Sequence, residues 1–211
     1  MHIGFHMSHA DHSLYVCKSD VGIVLITIYV DDLIIVGDSE KEIEHVKGLL
    51  KQEFEMKDVG ELCYFLGIEV ICTAEGIWLS QRQYALDMVS KYGMTDCKPI
   101  SMPLDVNVKL SAHAGDALKN VTMYCKIVGT LIYLMITRPD LSYIVGLESQ
   151  FMQAPKKPHL DAVRRTLRYV RATLDYALFY AAGVPVELYG YTDTDWDGVV
   201  GFFCNHLFAP F

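Results

Sequence analysis

An apolar run that ends at two consecutive aspartates is the feature that most constrains the fold of this chain. Residues 21–30 are continuous and rich in β-branched side chains, a pattern typical of a strand buried on both faces. Residues 33–36 form a second such run, and Asp31 and Asp32 separate the two. The pattern predicts an antiparallel hairpin with mostly buried strands and both aspartates exposed near its tip. Ten residues fall short of the ~20 that cross a bilayer, so we expect no membrane span.

The composition narrows the class of protein. Of 211 residues, 52% are apolar and 21% charged, which suffices for a core and excludes general disorder. Lysine and arginine total 18 against 26 acids, so a protein that is basic throughout is also excluded. The six cysteines form no C-x-x-C pair, and the first residues show no basic segment followed by an apolar one, so we expect no signal peptide. We therefore expect reduced thiols and an intracellular protein, cytoplasmic or nuclear, that is not secreted.

Hydrophobic periodicity predicts an α+β protein. Apolar residues at helical spacing predict five helices, over residues 39–54, 81–92, 122–136, 139–154 and 158–174. A second hairpin is predicted from residues 62–72 and 77–80, and further strands over 176–180 and 187–192. Residues 94–120 lack periodicity and contain two prolines, so they are expected to form an extended connection.

Asp31 and Asp32 place two carboxylates at one point of the chain. Neighbouring side chains of a regular strand point to opposite faces, whereas at a tight turn both can reach one ligand. Carboxylate oxygens suit Mg²⁺ or Mn²⁺, so the pair is a candidate metal site. Aspartates are also common in solvated turns without a ligand, and spacing alone leaves both interpretations open. The same two interpretations, metal site or polar strand edge, apply to Asp193, Asp195 and Asp197.

Charge is unevenly distributed along the chain. Residues 31–69 contain eleven acids and four lysines, a net charge of −7, whereas residues 156–171 have a net charge of +5. In the basic segment Arg164, Arg168 and Arg171 are spaced four and three residues apart and share one helix face. Such a row suits a phosphate backbone, but spacing alone favours an ordinary solvated helix face.

Several short segments, in this order and spacing, resemble the reverse transcriptase of copia-type LTR retrotransposons. They are YVDDL at residues 29–33, FEMKDVGEL at 54–62, YFLGIEV at 64–70, LSQ at 79–81, YA at 84–85, VGTLIYL at 128–134, TRPDLSY at 137–143, PHL at 158–160 and YTDTDW at 191–196. The resemblance extends from about residue 11 to residue 198. It identifies the chain as similar to the reverse transcriptase region of a retrotransposon Pol polyprotein.

The resemblance implies roles for individual residues. Asp31 and Asp32 would be catalytic carboxylates that hold Mg²⁺ (or Mn²⁺) together with a third aspartate from an earlier palm strand. The implied substrates are an RNA/DNA template-primer and dNTPs. Asp193 would be the first metal ligand of an RNase H-like domain. Residues that would position the primer are Phe65, Leu66 and Gly67, and those that would contact nucleic acid are Lys156, Lys157, Arg164, Arg168 and Arg171.

The resemblance also implies a division into three parts. Residues 1–120 would be a partial palm with a hairpin like a primer grip, 121–175 a helical thumb and connection, and 176–211 the truncated start of an RNase H-like sheet with an unrelated apolar tail. The first catalytic aspartate and the later RNase H acids would belong to missing polyprotein segments upstream and downstream. We therefore expect a reverse transcriptase fragment that is inactive as a lone chain. The alternative is a non-catalytic nucleic-acid-binding remnant or a non-functional expressed fragment.

Overall fold

The computed structural model describes residues 4–104 and 110–185, which confirm the α+β class. The chain divides into two compact units, residues 1–62 and residues 63–211, called here the hairpin unit and the helical unit. The domain boundaries expected at residues 120 and 175 stay a prediction. Each of the two units contains one of the predicted hairpins.

The hairpin unit consists of one antiparallel sheet and one helix. The strands, in spatial order, are β1 (His6–Met7), β2 (Leu14–Lys18), β3 (Ile23–Tyr29) and β4 (Asp32–Gly37), and they are followed by α1 (Glu40–Glu53). Val46 of α1 is buried together with Val24 and Ile26 of β3. The predicted pairing of residues 21–30 with residues 33–36 is confirmed.

The expectation that this hairpin is mostly buried is wrong. In β3 the buried residues are Val24 and Ile26, whereas Ile23, Ile28 and Tyr29 are 40–49% exposed. Alternate residues of a strand face opposite sides of the sheet, and α1 packs against the side that carries Val24 and Ile26, so Ile23 and Tyr29 lie on the other side. Ile28 shares the side of Val24 and Ile26 but lies near the tip of the hairpin, where it is 42% exposed. An apolar run therefore forms this strand even though, in the described part of the unit, only one sheet face is covered by a helix.

The end of the hairpin opposite the aspartates is held by a side chain. Oδ1 of Asp38 accepts a hydrogen bond from the backbone N–H of Ile23 at 2.8 Å. The carboxylate occupies the space beside Gly22, where a Cβ would lie 2.0 Å from the same oxygen. The absence of a side chain at Gly22 thus lets Asp38 fix the start of β3 against the end of β4.

The helical unit begins with a four-stranded antiparallel sheet. Its strands, in spatial order, are β5 (Tyr64–Phe65), β6 (Ile68–Thr73), β7 (Gly76–Ser80) and β8 (Leu178–Ala181). The single strand predicted over residues 62–72 is wrong, because a turn at Leu66 and Gly67 divides it into β5 and β6. The strand predicted over 176–180 is present as β8, but it pairs with β7 and does not begin a separate sheet.

Four helices form the rest of the described unit. They are α2 (Arg82–Lys91), α3 (Val121–Leu134), α4 (Ser142–Ser149) and α5 (Lys157–Ala172), with a 3₁₀ turn (Pro139–Leu141) before α4. Their apolar faces form a core of sixteen buried residues, which includes an apolar stripe of α5 at Leu160, Val163, Leu167 and Val170. No helix among the described residues is both long and apolar enough to cross a membrane.

Candidate functional site

The two aspartates lie at the tip of the β3–β4 hairpin, as predicted. Tyr29 pairs with Asp32 in the ladder, so Val30 and Asp31 form a two-residue turn. Both aspartates are exposed. Among residues 4–104 and 110–185, neither carboxylate has a hydrogen-bond or ion-pair partner. Four carboxylate oxygens are therefore available to an external cation.

The backbone of this turn is strained. Val30 has a φ of 51°, in the left-handed region that β-branched residues almost never adopt. Its side chain is 82% exposed, so burial of the valine does not compensate for the conformation. Such a conformation costs roughly 1–3 kcal/mol and is concentrated at functional sites in proteins. The strain at Val30 favours a functional interpretation of the adjacent Asp31 over an ordinary solvated turn.

Asp32 lies on the sheet face opposite α1. Directly paired residues share a face, so Asp32 is grouped with Tyr29, and the next pair on that face is Thr27 with Ile34. The buried Val24 and Ile26 belong to the other face, which packs against α1. A ligand of Asp32 would therefore approach the sheet from the side that α1 leaves open.

The donor chemistry of this pair fits a hard cation, whereas the number of donors is small. Mg²⁺ prefers six oxygen ligands in nearly octahedral geometry. In the described part of the chain, no group of three or more histidine, cysteine, aspartate or glutamate side chains is placed to hold a metal ion. Asp193 lies outside the described residues. Asp31 and Asp32 thus have the chemistry of two ligands in a site that requires further donors.

Phe65, Leu66 and Gly67 lie at the β5–β6 turn. Leu66 and Gly67 have φ values of 50° and 80°, the signs that a type I′ hairpin turn requires. Leu66 is the second described non-glycine residue with a positive φ, and it is 40% exposed. The sequence-based expectation that these residues lie on a hairpin agrees with this geometry, and their role toward a primer stays a prediction.

The arginine row of α5 is not a simple solvated face. Nε of Arg168 donates to the carbonyl of Lys98 at 2.8 Å, and Nε of Arg171 donates to the carbonyl of Thr95 at 3.1 Å. Arg164 is exposed, with one carboxylate oxygen of Asp161 at 3.8 Å. Two of the three arginines therefore hold the segment after α2 against α5, and Arg164 is the most available to a ligand.

The two lysines at the start of α5 also differ from each other. Nζ of Lys156 donates to the carbonyl of His113 at 2.8 Å, whereas Lys157 is exposed. His159 is fully buried and stacks on Phe151 with a centroid distance of 3.8 Å, and its Nδ1 accepts from the backbone N–H of Lys156 at 3.0 Å. The PHL segment is thus part of the scaffold that begins α5.

Another segment of the resemblance, TRPDLSY, forms a buried polar network that sequence reasoning missed. Arg138 is 2% exposed and donates to both oxygens of Asp140, at 2.9 and 2.7 Å. The same guanidinium donates to the carbonyl and hydroxyl of Thr173, at 2.9 and 2.7 Å. Arg138 and the phenol of Tyr169, which donates to Asp140, hold the pKa of this carboxyl below its usual value despite partial burial, which acts to raise it.

The sequence pattern also did not predict that one acid, Glu148, is buried. Glu148 of α4 is fully buried, and its Oε1 accepts from the hydroxyl of Thr166 on α5 at 2.7 Å. Oε2 has no hydrogen-bond partner among the described residues. Burial raises the pKa of Glu148 to about 8, so the side chain is mostly protonated at neutral pH. No periodicity distinguishes this glutamate from an exposed helical one.

Comparison with known proteins agrees with the geometry of the hairpin. Residues 1–106 match the family described as reverse transcriptase (RNA-dependent DNA polymerase). No solved structure matches the chain. The Retrovirus-related Pol polyproteins from transposons RE2 and RE1 of Arabidopsis thaliana are 40% and 42% identical over 93% of this chain.

The relatives differ greatly in length. The chain spans 14% of the RE2 polyprotein and 13% of the RE1 polyprotein. It spans 71% of the uncharacterized mitochondrial protein AtMg00810 of Arabidopsis thaliana, which is 36% identical over 81% of the chain. The aspartate hairpin, the family match and these relatives together lead to one conclusion. The chain belongs to the reverse transcriptase family of retrotransposon Pol polyproteins.

Proposed function

We propose that this chain supplies the catalytic hairpin, the primer-positioning turn and the thumb of a copia-type RNA-directed DNA polymerase. The observation that carries the proposal is the exposed pair Asp31 and Asp32 beside the strained Val30. Val30 is exposed, so packing of its side chain does not compensate for the cost of a φ of 51°. It fixes where two carboxylates leave the sheet, which is what a metal-dependent site requires.

Asp31 and Asp32 would hold Mg²⁺ or Mn²⁺ through their carboxylate oxygens. When bound between carboxylates and a nucleotide, such ions stabilise both the attacking and the leaving oxygens of phosphoryl transfer. The two aspartates contribute negative charge and fixed position, and the rigid β3–β4 ladder limits their movement. Because two carboxylates form an incomplete set, we infer that a third acid comes from another strand of the assembled polymerase.

The helical unit would bind the template-primer. Under this proposal the turn at Phe65, Leu66 and Gly67 contacts the primer end, and the helices within residues 121–175 serve as thumb and connection. Arg164 and Lys157 would contact phosphates directly, because both are exposed. Arg168 and Arg171 each donate through Nε to a carbonyl, and a guanidinium has four further N–H donors for a phosphate.

Two finer assignments rest on the resemblance. Residues 1–120 and 176–211 would derive from the palm and from the start of an RNase H-like domain. Asp193 would be a metal ligand of the latter. The partners would be RNA/DNA template-primer, dNTPs and the remaining parts of the Pol polyprotein, since the RE2 and RE1 polyproteins are several times longer than this chain.

Paramagnetic broadening by Mn²⁺ tests the metal site directly. In an amide NMR spectrum of the full chain, low Mn²⁺ should broaden residues 29–33 before other signals. The Asp31→Asn/Asp32→Asn double variant should lose this effect, because the four carboxylate oxygens become two neutral amides. Glu53→Gln, which neutralises an exposed acid at the end of α1, is the matched control and should leave the broadening unchanged.

Nonspecific binding of Mn²⁺ to the acid-rich segment would give a different result. Residues 31–69 contain eleven acids, which attract divalent cations without a specific site. Broadening spread evenly over these residues, and equal in the double variant and in Glu53→Gln, would contradict the proposed metal site.

Salt dependence of binding tests the nucleic-acid contacts. Each lost phosphate contact lowers the slope of log affinity against log salt by about 0.9. Arg164→Ala should show this change on a primed duplex. Arg82→Ala is the control, because this exposed arginine is outside the basic segment and is paired with Asp175 at 2.8 Å. Equal slopes for Arg164→Ala and the unmodified chain would show that Arg164 makes no phosphate contact.

A further inference from the structure

The Leu66–Gly67 turn is held from a distant helix. The phenol of Tyr133, on α3, donates a hydrogen bond to the backbone carbonyl of Leu66. The two residues are 67 positions apart in the chain and belong to two of the segments that carry the family resemblance. The fold thus connects YFLGIEV to VGTLIYL through one side chain.

The turn needs an external support. β5 contains only two residues, and its ladder with β6 consists of the pairs Tyr64–Glu69 and Phe65–Ile68. β5 is an edge strand of the four-stranded sheet, so this short ladder is its one strand pairing among the described residues, and Leu66 adds the cost of a non-glycine residue at φ 50°. A hydrogen bond to its carbonyl therefore acts where the local sequence contributes least stability.

Tyr133 is itself fixed in position. Its half-buried ring contacts the ring of Tyr84 edge-to-face, with centroids 5.0 Å apart. A Cβ at Gly67 would lie 3.3 Å from the Tyr133 hydroxyl and 3.7 Å from Cε1 of the ring. Gly67 is suited to this position because it has a φ of 80° and leaves room for the phenol. The tyrosine and the turn are therefore complementary in shape as well as hydrogen-bonded.

We propose that Tyr133 is a positioning residue for the primer end, which acts by holding the Leu66–Gly67 turn in its left-handed conformation. This inference rests on the proposed primer-positioning role of that turn. Tyr133 itself needs no contact with nucleic acid. The hydrogen bond from its phenol fixes the turn relative to α3, so that the helix and the turn form one surface for the primer.

Hydrogen exchange of the full chain provides the first test. Tyr133→Phe removes the hydroxyl but keeps the ring, so the amides of residues 64–70 should exchange about two- to tenfold faster, the range expected for one lost hydrogen bond. Tyr84→Phe is the matched control. It removes the hydroxyl of the contacting ring, which donates to the carbonyl of Thr130 at 3.4 Å and not to the turn.

A fluorescent base at the primer 3′ end provides a readout that a purely structural role would not change. A second label at the 5′ end reports total binding of the template-primer. Tyr133→Phe should bind with similar affinity but lose at least half of the 3′-end fluorescence change at saturation, whereas Tyr84→Phe should keep it. Gly67→Ala, which places a methyl group against the Tyr133 hydroxyl, should reproduce the loss.

The outcomes separate this inference from the proposed function. If the unmodified chain binds the duplex without any 3′-end signal, the primer-positioning role of the turn fails and the inference fails with it. If the unmodified chain gives the signal and Tyr133→Phe retains it in full, only the inference about Tyr133 is overturned. Loss of the signal together with faster exchange at residues 64–70, in Tyr133→Phe alone of the two tyrosine variants, supports it.

Discussion

The hairpin unit and the helical unit place their candidate functional groups on very different scaffolds. In the described part of the hairpin unit, which carries Asp31 and Asp32, the buried apolar residues are Val24, Ile26 and Val46. In the described part of the helical unit, α5 contributes to a core of sixteen buried residues, and the Leu66–Gly67 turn is held by Tyr133 of α3. Both units contain a strained turn, and the comparison teaches that the two turns are held differently. The turn at Val30 and Asp31 ends the six-pair β3–β4 ladder, whereas the Leu66–Gly67 turn ends a two-pair ladder and accepts a hydrogen bond from Tyr133 of α3.

The two units also differ in whether their ionisable side chains are exposed or buried. The acids of the candidate metal site are exposed, whereas the helical unit buries Arg138, Glu148 and His159. Buried ionisable groups are costly unless they are paired or neutral. Arg138 is paired with Asp140, and Glu148 holds a proton at neutral pH. The stability of the helical unit should therefore respond strongly to single substitutions and to pH.

The largest expected effect is at Arg138. Arg138→Ala leaves Asp140 without its cationic partner and removes two hydrogen bonds to Thr173. Asp140 is exposed, so its carboxylate stays hydrated in the variant, and the cost comes from the four hydrogen bonds lost with the buried guanidinium. At about 1 kcal/mol for each bond, we expect the free energy of unfolding to fall by about 4 kcal/mol. Urea denaturation followed by circular dichroism measures this change.

The matched control for Arg138 is another arginine–aspartate pair. Arg82 and Asp175 are 52% and 85% exposed, so Arg82→Ala should leave the denaturation midpoint almost unchanged. Similar midpoints for the two arginine variants would contradict the idea that burial of Arg138 makes its network important.

The next effect is the pH dependence that Glu148 introduces. Its pKa is about 8 in the folded protein and about 4.5 when unfolded, so the folded state binds more protons between these values. The contribution of Glu148 to stability is therefore fully present below about pH 4.5 and falls as the pH rises toward 8. At pH 7 the loss amounts to about 3 kcal/mol for this group alone.

Glu148→Gln isolates this contribution. Glutamine keeps the Oε1 acceptor for Thr166 and cannot ionise, so the variant should be more stable than the unmodified chain at pH 7 and similar at pH 4.5. Glu75→Gln, at an exposed turn, should follow the pH profile of the unmodified chain. If Glu148→Gln also keeps that profile, Glu148 does not hold a proton in the folded state.

The smallest effect compares the two strained turns. Glycine adopts a positive φ without steric cost, so Val30→Gly should stabilise the hairpin unit by about 1 kcal/mol. Leu66→Gly should give less, because Leu66 is 40% exposed and loses contacts that Val30, at 82%, does not make. Val59→Gly, at an 88% exposed residue with an ordinary φ, should give no stabilisation. An equal change at all three residues in thermal unfolding would show that strain at Val30 is absent.

The sequence predicted the features that depend on local patterns. The antiparallel hairpin around Asp31 and Asp32 followed from its apolar runs, and the apolar stripe of α5 from its helical spacing. Each of these two patterns is contained in a short continuous stretch of the sequence. The family resemblance also predicted that Leu66 and Gly67 lie on a hairpin, although the apolar run over residues 62–72 concealed the turn itself.

The features that were missed depend on contacts between distant residues. Arg168 and Arg171 donate to carbonyls 70 and 76 positions away, and backbone carbonyls have no sequence signature. The exposure of β3 depends on which neighbours cover each sheet face, which its own composition does not determine. The pairing of β8 with β7 likewise joins strands about one hundred residues apart. Tertiary contacts decided each of these outcomes.

The central claim is that Asp31 and Asp32 belong to the catalytic hairpin of a polymerase, and one measurement tests it most directly. The segment of the transposon RE1 Pol polyprotein that matches this chain, at 42% identity, is replaced by the chain itself. Primer extension on an RNA template with Mg²⁺ is then measured for the chimera, for its Asp31→Asn/Asp32→Asn variant and for the free 211-residue chain. We predict extension by the chimera, a loss of about a thousandfold in the double variant and none by the free chain. Extension that persists in the double variant, or a folded chimera that extends no primer, would contradict the claim.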